Sequence, residues 1–164
     1  MWRQLTQKAR KAIFLAQEEA ERLGYNHVGS EHLLLALTRE EDCVATMVLD
    51  RLGLDPGTVR SAVMKQLSRG HENLDDLQLA PDAKHAIDFA FSEVKQMKDE
   101  WVGTEHLLIG LMYEAGGLAS KVLNDLGVDL FKLKDELRNV KAGTLPLAYI
   151  SECPAVSTVA YSVA

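Results

Sequence analysis

Residues 28–37 read Val-Gly-Ser-Glu-His-Leu-Leu-Leu-Ala-Leu, and residues 102–111 read Val-Gly-Thr-Glu-His-Leu-Leu-Ile-Gly-Leu. The same offset of 74 positions relates the residues on both sides without a gap. Upstream, Ala9, Ala12, Ile13, Ala16 and Glu19 return as Ala83, Ala86, Ile87, Ala90 and Glu93. Self-similarity at a fixed offset indicates one supersecondary unit used twice. Any binding site that the unit builds is therefore expected twice.

The bulk composition is that of one globular domain, or of two small halves that share a core. The chain has 164 residues, of which 47% are hydrophobic, and a formal net charge of −6. A nucleic-acid binder would carry a basic stripe, so we expect no nucleic-acid partner. Cys43 and Cys153 lie far apart and form no Cys-x-x-Cys motif. We therefore expect neither a disulfide framework nor a zinc site, and a reduced cytoplasmic setting.

The two ends of the chain carry no membrane signal. The first eight residues contain charges but no apolar run behind them, so we expect no signal peptide. The most apolar segment, residues 143–164, contains Pro146, Glu152 and Pro154. These residues argue against a membrane span, and we expect no membrane partner.

Each repeat is predicted to contain four helices, from the spacing of its apolar residues and its capping residues. The helices of the first repeat are predicted from Thr6 (the N-cap) to Gly24, from Glu31 (with Ser30 as N-cap) to about Arg39, from about Val44 to Leu52, and from Pro56 (with Asp55 as N-cap) to Gly70. Those of the second repeat are predicted near Pro81–Lys98, Glu105–Glu114, Leu118–Leu126 and Leu130–Ala142. No segment outside the C-terminal tail shows the period-2 alternation of a strand.

The predicted organisation is all-α. Residues 1–70 form the first repeat, 71–80 a polar linker and 81–142 the second repeat, with both repeats in one domain. Residues 143–164 form an apolar tail that repeats nothing. Such a tail can pack on a groove, pair as a strand or drive association, and it can equally be a mobile terminus.

The Glu-His pairs, Glu31-His32 and Glu105-His106, are the first candidates for chemistry. Neighbours on a helix point about 100° apart, so the two side chains do not converge on one ligand. The pairs also match neither His-Glu-x-x-His nor the Glu-x-x-His of a di-iron bundle, so no metal is expected. A Glu after a Ser or Thr cap suits the helix dipole, and its His neighbour can bond a loop carbonyl. The residue types alone favour this structural role over function.

The sequence contains no nucleophile-and-base set. Ser30 and Thr104 are better explained as caps, and there is neither a Gly-x-Ser-x-Gly motif nor a phosphate-binding Gly-x-x-x-x-Gly-Lys-Ser/Thr loop. We therefore expect no enzyme and no cofactor.

Several motifs together resemble a known family. They are Leu-Thr-Gln-Lys-Ala-Arg at 5–10, Ala-Gln-Glu-Glu-Ala at 16–20, the doubled Val-Gly-Ser/Thr-Glu-His-Leu-Leu, and Leu-Gly-Leu/Val-Asp after the third helix of each repeat. Over about residues 2–142 the chain is similar to the Clp repeat domain, the N-terminal domain of Clp/Hsp100 AAA+ unfoldases, and most of all to the ClpC type. The resemblance implies a pseudo-twofold domain of eight helices. It also implies docking of adaptors and substrates for an unfoldase.

In ClpC-type domains each repeat binds phosphoarginine, a degradation mark. By this resemblance Glu31 and Glu105 would bind the guanidinium. The phosphate would lie at the start of the first helix of each repeat, at Thr6 and Arg10 in the first and at Ala80 and Lys84 in the second. A helix N-terminus suits phosphate because its N–H groups are unpaired and its dipole end is positive.

The chain departs from the family pattern in the second repeat. Ala80 stands where the family commonly has Thr, and Asp82 puts negative charge into the first turn. A like-charge contact at about 4 Å costs several kcal/mol at an effective dielectric of about 20. We therefore expect the site with Thr6 to suit phosphate better. The ATPase modules that follow this domain in the family are absent from the sequence, and the tail matches nothing in the family pattern, which leaves a standalone protein or a fragment.

Two functions remain compatible with the sequence. The first is a non-catalytic protein-binding module of the Clp protease system, monomeric, that docks adaptors or arginine-phosphorylated substrates. The alternative is a standalone regulatory or structural protein with degenerate pockets, which binds a Clp unfoldase or associates with itself through the tail.

Overall fold

The computed structural model describes residues 2–67 and 77–143. Within these ranges a 3-10 helix, Trp2–Gln4, precedes eight α-helices and two short strands. The helices are α1 Gln7–Leu23, α2 Ser30–Arg39, α3 Val44–Arg51, α4 Pro56–Gln66, α5 Pro81–Met97, α6 Thr104–Tyr113, α7 Leu118–Asp125 and α8 Leu130–Ala142. The strands are β1 His27–Val28 and β2 Gln78–Leu79. The all-α class and the two four-helix repeats are confirmed.

Several helix ends lie where the sequence predicts them, because capping is a local interaction. The Thr6 hydroxyl accepts a hydrogen bond of 3.1 Å from the Ala9 N–H at the start of α1. Gly24 ends α1 with a φ of 80°, a left-handed conformation that glycine adopts at little cost. Asp55 caps α4 by accepting from the Thr58 N–H at 3.0 Å, with Pro56 in the first turn.

The end of α4 and the structure of the linker differ from the prediction. Helix α4 ends at Gln66 rather than at Gly70, and Gly70, most of the linker and residues 144–164 of the tail lie outside the described residues. Strand β2 lies within the predicted linker and pairs in parallel with β1. Two-residue strands are too short to leave an alternating pattern in the sequence.

The centre of the molecule is formed by α2 and α6. Every residue from Ser30 to Leu37, and every residue from Thr104 to Met112, is buried. The two helices contact each other, with α1 packed on α2 and α5 packed on α6. The doubled sequence motif is therefore the core of both repeats.

The two repeats are joined crosswise. Helix α3 of the first repeat packs on α8 of the second, and α4 packs on α7. Leu5 pairs with Val102 in the same way that β2 pairs with β1. The Thr6 N–H donates to the Val102 carbonyl, and the Ala80 N–H donates to the Val28 carbonyl, each at 2.9 Å. The start of each repeat's first helix is thus fixed to the motif of the other repeat.

Ser30 and Thr104 cap helices, although not the helices that the sequence predicts. Gly29 and Gly103 hold the N-cap positions of α2 and α6, so the prediction that Ser30 caps α2 is wrong. The Ser30 hydroxyl instead accepts from the N–H of Ala119 in α7 at 3.4 Å. The Thr104 hydroxyl accepts from the N–H of Ala45 in α3 at 3.2 Å. Each hydroxyl satisfies an N-terminal donor of the opposite repeat.

Candidate functional site

The predicted site residues come together across the repeats, not within them. Thr6 is hydrogen-bonded to Val102, next to the motif that contains Glu105. Asp82, in the first turn of α5, accepts from the Ser30 N–H at 3.0 Å, next to Glu31. The assignment of one site to each repeat, with Thr6 beside Glu31 and Ala80 beside Glu105, is therefore wrong. The sequence does not show whether the start of a repeat's first helix contacts the Glu-containing motif of its own repeat or that of the other repeat, because the two motifs are nearly identical.

We call the two resulting arrangements the α1 site and the α5 site. The α1 site comprises Thr6, Lys8 and Arg10 of helix α1 and its cap with Glu105 of the second motif. The α5 site comprises Ala80, Asp82 and Lys84 at the start of helix α5 with Glu31 of the first motif. Lys8 is the counterpart of Asp82 at the offset of 74 positions, so the two sites carry opposite charge at this position.

Both glutamate side chains fold back over the glycine two residues earlier. A Cβ atom on Gly29 would lie 2.5 Å from Glu31 Oε2, and Gly103 meets the Glu105 carboxylate in the same way. A side chain at either glycine would therefore displace the carboxylate from this position. Glu31 is 8% exposed and Glu105 is 1% exposed. The carboxylates that the sequence predicts to bind a guanidinium are thus covered in this conformation.

His32 and His106 fix the turn before each central helix. In both repeats the imidazole Nδ1 accepts a hydrogen bond of 2.9 Å from the glycine N–H three residues earlier. The structural role expected for these histidines fits, but the partner is a backbone N–H rather than a carbonyl. An accepting Nδ1 leaves the proton on Nε2.

The charges of the α5 site disfavour a bound anion. Asp82 Oδ2 accepts from the Ser30 N–H and Asp82 Oδ1 accepts from the Ala83 N–H at 2.8 Å. This carboxylate occupies N-terminal donors of α2 and α5 that a phosphate would use. Burial, followed by the negative charge of Asp82, raises the pKa of Glu31. Ala80 supplies no hydroxyl, and Lys84 is exposed.

The α1 site has cations where the α5 site has Asp82. Arg10 is exposed and Lys8 is half-buried, and the Lys8 ammonium donates to the carbonyls of Glu41 and Asp42 at 2.8 and 2.6 Å. Thr6 is fully buried and its hydroxyl caps α1.

A cation of the chain itself also stands beside the buried carboxylate of the α1 site. The Lys141 ammonium lies 3.7 Å from Glu105 Oε1 and also pairs with Asp99. Asp99 in turn accepts from His106 Nε2 at 2.9 Å. Burial alone would raise the pKa of Asp99, but the His106 hydrogen bond and the Lys141 charge lower it below its usual value.

Lys141 and Asp99 are not among the residues singled out in the sequence. Aligning the repeats places Tyr25 opposite Asp99 and Leu67 opposite Lys141. Two uncharged residues of the first repeat thus correspond to two oppositely charged residues of the second. This difference between the repeats could have predicted the charged pair.

Within residues 2–67 and 77–143, no group of three or more His, Cys, Asp or Glu side chains is arranged to hold a metal ion. In the same part of the chain no helix combines the length and the apolar character needed to cross a membrane.

Comparison with known proteins gives a family and a fold. The sequence profile of the Clp repeat (R) N-terminal domain matches residues 4–116 and 102–158. The second match includes residues 143–158, so the expectation that the tail matches nothing in the family is wrong. The negative regulator of genetic competence ClpC/MecB of Bacillus subtilis (strain 168) is 40% identical over 137 residues, which are 84% of this chain and 17% of that protein.

Solved structures agree with this fold. The N-terminal domain of the chaperone ClpD from Arabidopsis thaliana superposes with a TM-score of 0.66 at 24% identity, covering 85% of this chain and 98% of that one. The ClpV N-domain in complex with a VipB peptide superposes with a TM-score of 0.69 at 18% identity, covering 84% and 89%. At these identities the structures show the fold alone.

The profile match covers most of the described residues. The relative from Bacillus subtilis is a ClpC protein, the type that the sequence motifs resemble most. The chain spans 17% of the length of that relative. It belongs to the Clp repeat (R) N-terminal domain family.

Proposed function

We propose that this chain is a non-catalytic protein-binding module of a Clp protease system, which docks adaptor proteins or marked substrates. The ClpV N-domain, which has the same fold, is described in complex with a peptide of another protein, VipB. This module comprises only the part of the relatives that the chain covers, and no ATPase activity is assigned to it.

The charge difference between the two sites indicates which of them can bind a phosphorylated ligand. Lys8 stands in the α1 site where Asp82 stands in the α5 site. Asp82 already accepts N–H bonds from the ends of two helices. A phosphate arriving at the α5 site would meet this carboxylate, whereas at the α1 site it would meet cations. We propose that the α1 site, and not the α5 site, binds the phosphoarginine of a marked substrate.

The α1 site divides the ligand between its two halves. The start of α1, with Thr6 and Arg10, takes the phosphoryl group, since helix N-termini and cations stabilise anions. Glu105 takes the guanidinium, as a carboxylate does in a charge-assisted pair. Because Glu105 is 1% exposed and Lys141 stands 3.7 Å away, the guanidinium has to displace Lys141. Lys141 is therefore an internal competitor of the ligand.

Calorimetric titration with phosphoarginine tests this arrangement. We expect the native chain to bind, Lys141→Ala to bind more tightly because the competing ammonium is gone, and Glu105→Gln to bind more weakly. Glu31→Gln, the matched change in the α5 site, should bind like the native chain. Loss of binding in Glu31→Gln with retention in Glu105→Gln would contradict the assignment to the α1 site. Thermal melts of each variant check that it remains folded.

The burial of Thr6 and Glu105 favours a second candidate function. If the α1 site stays closed, the domain is a regulatory or structural module whose pockets have degenerated, and it binds an unfoldase through another surface. Under that function neither the native chain nor Lys141→Ala binds phosphoarginine at millimolar concentration. Binding by Lys141→Ala alone would identify a site that is intact but occupied by its own lysine.

A further inference from the structure

A buried carboxylate on α1 is surrounded by three arginines. Glu19 is fully buried. Arg60 donates two hydrogen bonds to its two oxygens, at 3.2 and 3.0 Å, while Arg22 donates at 2.8 Å and Arg39 at 3.1 Å. We call Arg22, Arg39 and Arg60 the arginine cluster. One carboxylate thus faces three positive charges from three helices.

The second repeat shows how few cations the fold needs at this position. Glu93, the counterpart of Glu19, is 2% exposed and pairs with Lys134 at 2.7 Å. Tyr113 stands at the position of Arg39 and accepts from Lys134 at 2.8 Å. Gln96 stands at the position of Arg22. One carboxylate with one cation is sufficient there, so the first repeat carries two positive charges beyond that requirement.

The arginine cluster lines an open cleft. The cleft has a volume of about 290 Å³, and Thr38, Pro56 and Gly57 complete its wall beside the three arginines. The exposed fractions of the Arg22, Arg39 and Arg60 side chains are 59%, 37% and 28%. The guanidinium groups are therefore reached by solvent from one side while Glu19 holds them from the other.

The charge balance of the cleft remains positive. The arginine cluster and Glu19 together carry a formal charge of +2. Glu18, which is 46% exposed, lies 3.3 Å from Arg39 and reduces this charge at the rim. Asp55 precedes the wall residue Pro56, and its carboxylate is engaged with Thr58.

The carboxylates of Glu18 and Glu19 do not use all the N–H donors of the arginine cluster, so some can bind a ligand. Each guanidinium has five N–H donors, whereas the three form five hydrogen bonds to Glu18 and Glu19. The carboxylates therefore use only part of the donor capacity of the arginine cluster.

We propose that the arginine cluster binds a phosphate monoester dianion carried by a phosphorylated protein segment. The planar guanidinium fork matches phosphate oxygens in a bidentate manner, and a phosphate monoester carries close to two negative charges at neutral pH. Glu19 pre-orders the arginines by fixing their inner N–H groups, so that little side-chain freedom is lost on binding. This site is separate from the α1 site and needs no part of it.

Three ligands distinguish a free ion from a phosphorylated segment: inorganic phosphate, a short peptide containing phosphoserine, and the same peptide with Glu in place of the phosphoserine. Binding is followed by the NMR signals of the arginine Nε–H groups in the full chain. We expect both phosphate and the phosphopeptide to shift the Arg22, Arg39 and Arg60 signals, with the phosphopeptide binding more tightly than the Glu peptide. Equal affinity of the Glu peptide, or shifts with inorganic phosphate but none with the phosphopeptide, would overturn the proposal.

Substitutions give opposite signs. Arg22→Gln introduces the residue that the second repeat has and should weaken phosphopeptide binding by roughly tenfold, the loss of one charged hydrogen bond. Glu19→Gln keeps the shape and an acceptor oxygen but removes the competing charge, so the affinity should rise. Arg138→Gln, which neutralises an exposed arginine on α8, is the matched control and should bind like the native chain. Identical affinity of Arg22→Gln and Arg138→Gln would refute the site.

Discussion

His32 and His106 occupy equivalent positions, yet their outer ring nitrogens have different surroundings. His106 Nε2 donates to Asp99, whereas His32 Nε2 is buried with no hydrogen-bond partner among the described residues. Tyr25 stands in place of Asp99, with its ring centroid 4.9 Å from that of His32 in an edge arrangement. Burial, followed by the charge of His27, lowers the pKa of His32 from 6.5 to about 4. The first repeat therefore holds a neutral imidazole where the second holds one bonded to a carboxylate.

This difference predicts a pH dependence of stability. Between pH 6.5 and about 4 the unfolded chain protonates His32 and the folded chain does not. The free energy of unfolding therefore falls as the pH drops through this window, by up to about 3 kcal/mol from His32 alone. Urea denaturation at several pH values measures the slope, and NMR titration of the His32 ring should give a midpoint near pH 4.

His32→Asn isolates this contribution, because an Asn oxygen can accept from the Gly29 N–H without titrating. The free energy of unfolding of this variant should therefore depend less steeply on pH, because the contribution of His32 is gone. Glu31 acts in the opposite direction: its pKa is raised, so its contribution to stability grows as the pH falls and is lost as the pH rises through the raised value. A midpoint for His32 that stays at its ordinary value would refute the prediction.

At the level of elements, a glycine in α6 allows the backbones of α5 and α6 to pack closely against each other. A Cβ atom on Gly110 of α6 would collide with the carbonyl of Ala86 in α5 and lie 3.1 Å from the Ala90 nitrogen. The equivalent position in α2 is Ala36, which is fully buried. Gly110 thus permits the α6 backbone to contact the Ala86 carbonyl of α5 directly. In the first repeat the Ala36 methyl group stands at this position.

We expect Gly110→Ala to destabilise the protein by about 1–3 kcal/mol, because the new methyl group has to push two backbones apart. Alanine otherwise favours a helix over glycine by about 1 kcal/mol, so the sign of the change discriminates packing from propensity. Urea denaturation gives the value. Gly116→Ala, where a Cβ would lie no closer than 3.4 Å to its nearest neighbour atom, serves as the control. An unchanged or higher stability of Gly110→Ala would contradict the close packing.

The elements could be predicted from the sequence better than their contacts. Thr6, Gly24 and Asp55 end helices through bonds to residues three or four positions away, so a local pattern contains the information. The hydroxyl of Ser30 has the same local pattern, but its partner Ala119 is 89 positions away. A capping residue in the sequence does not indicate which of two nearby helix ends it will satisfy.

For the whole molecule, the same ambiguity applies to the candidate sites. The offset of 74 positions predicts two sites and their residues. It does not tell whether Thr6 faces Glu31 or Glu105, because both motifs offer the same backbone and the same carboxylate. The crosswise pairing follows from tertiary packing, with α3 on α8 and α4 on α7. The resemblance to the family supplied the residues, and the three-dimensional structure supplied their partners.

Crosswise pairing predicts that neither repeat folds alone as a monomer. Backbone hydrogen bonds join the repeats at both strand pairs, among them those donated by Thr6, Gln78, Ala80 and Val102. The hydroxyls of Ser30 and Thr104 also complete helices of the opposite repeat. A separated half would expose its central helix, which is buried from Ser30 to Leu37 in α2 and from Thr104 to Met112 in α6. A half of about 70 residues also buries a smaller fraction of its surface than the whole chain, which makes it marginal on its own.

Chains ending at residue 67 and chains starting at residue 77 test this. Each should be unfolded by circular dichroism, or folded only as a dimer in which a second copy takes the place of the missing repeat. Mixing the two should restore helicity, since the contacts between the repeats are non-covalent. The chain ending at residue 143 is the control and should unfold in a single urea transition. A folded monomer of either half, established by its mass in solution and dispersed NMR signals, would mean that each repeat has a core of its own.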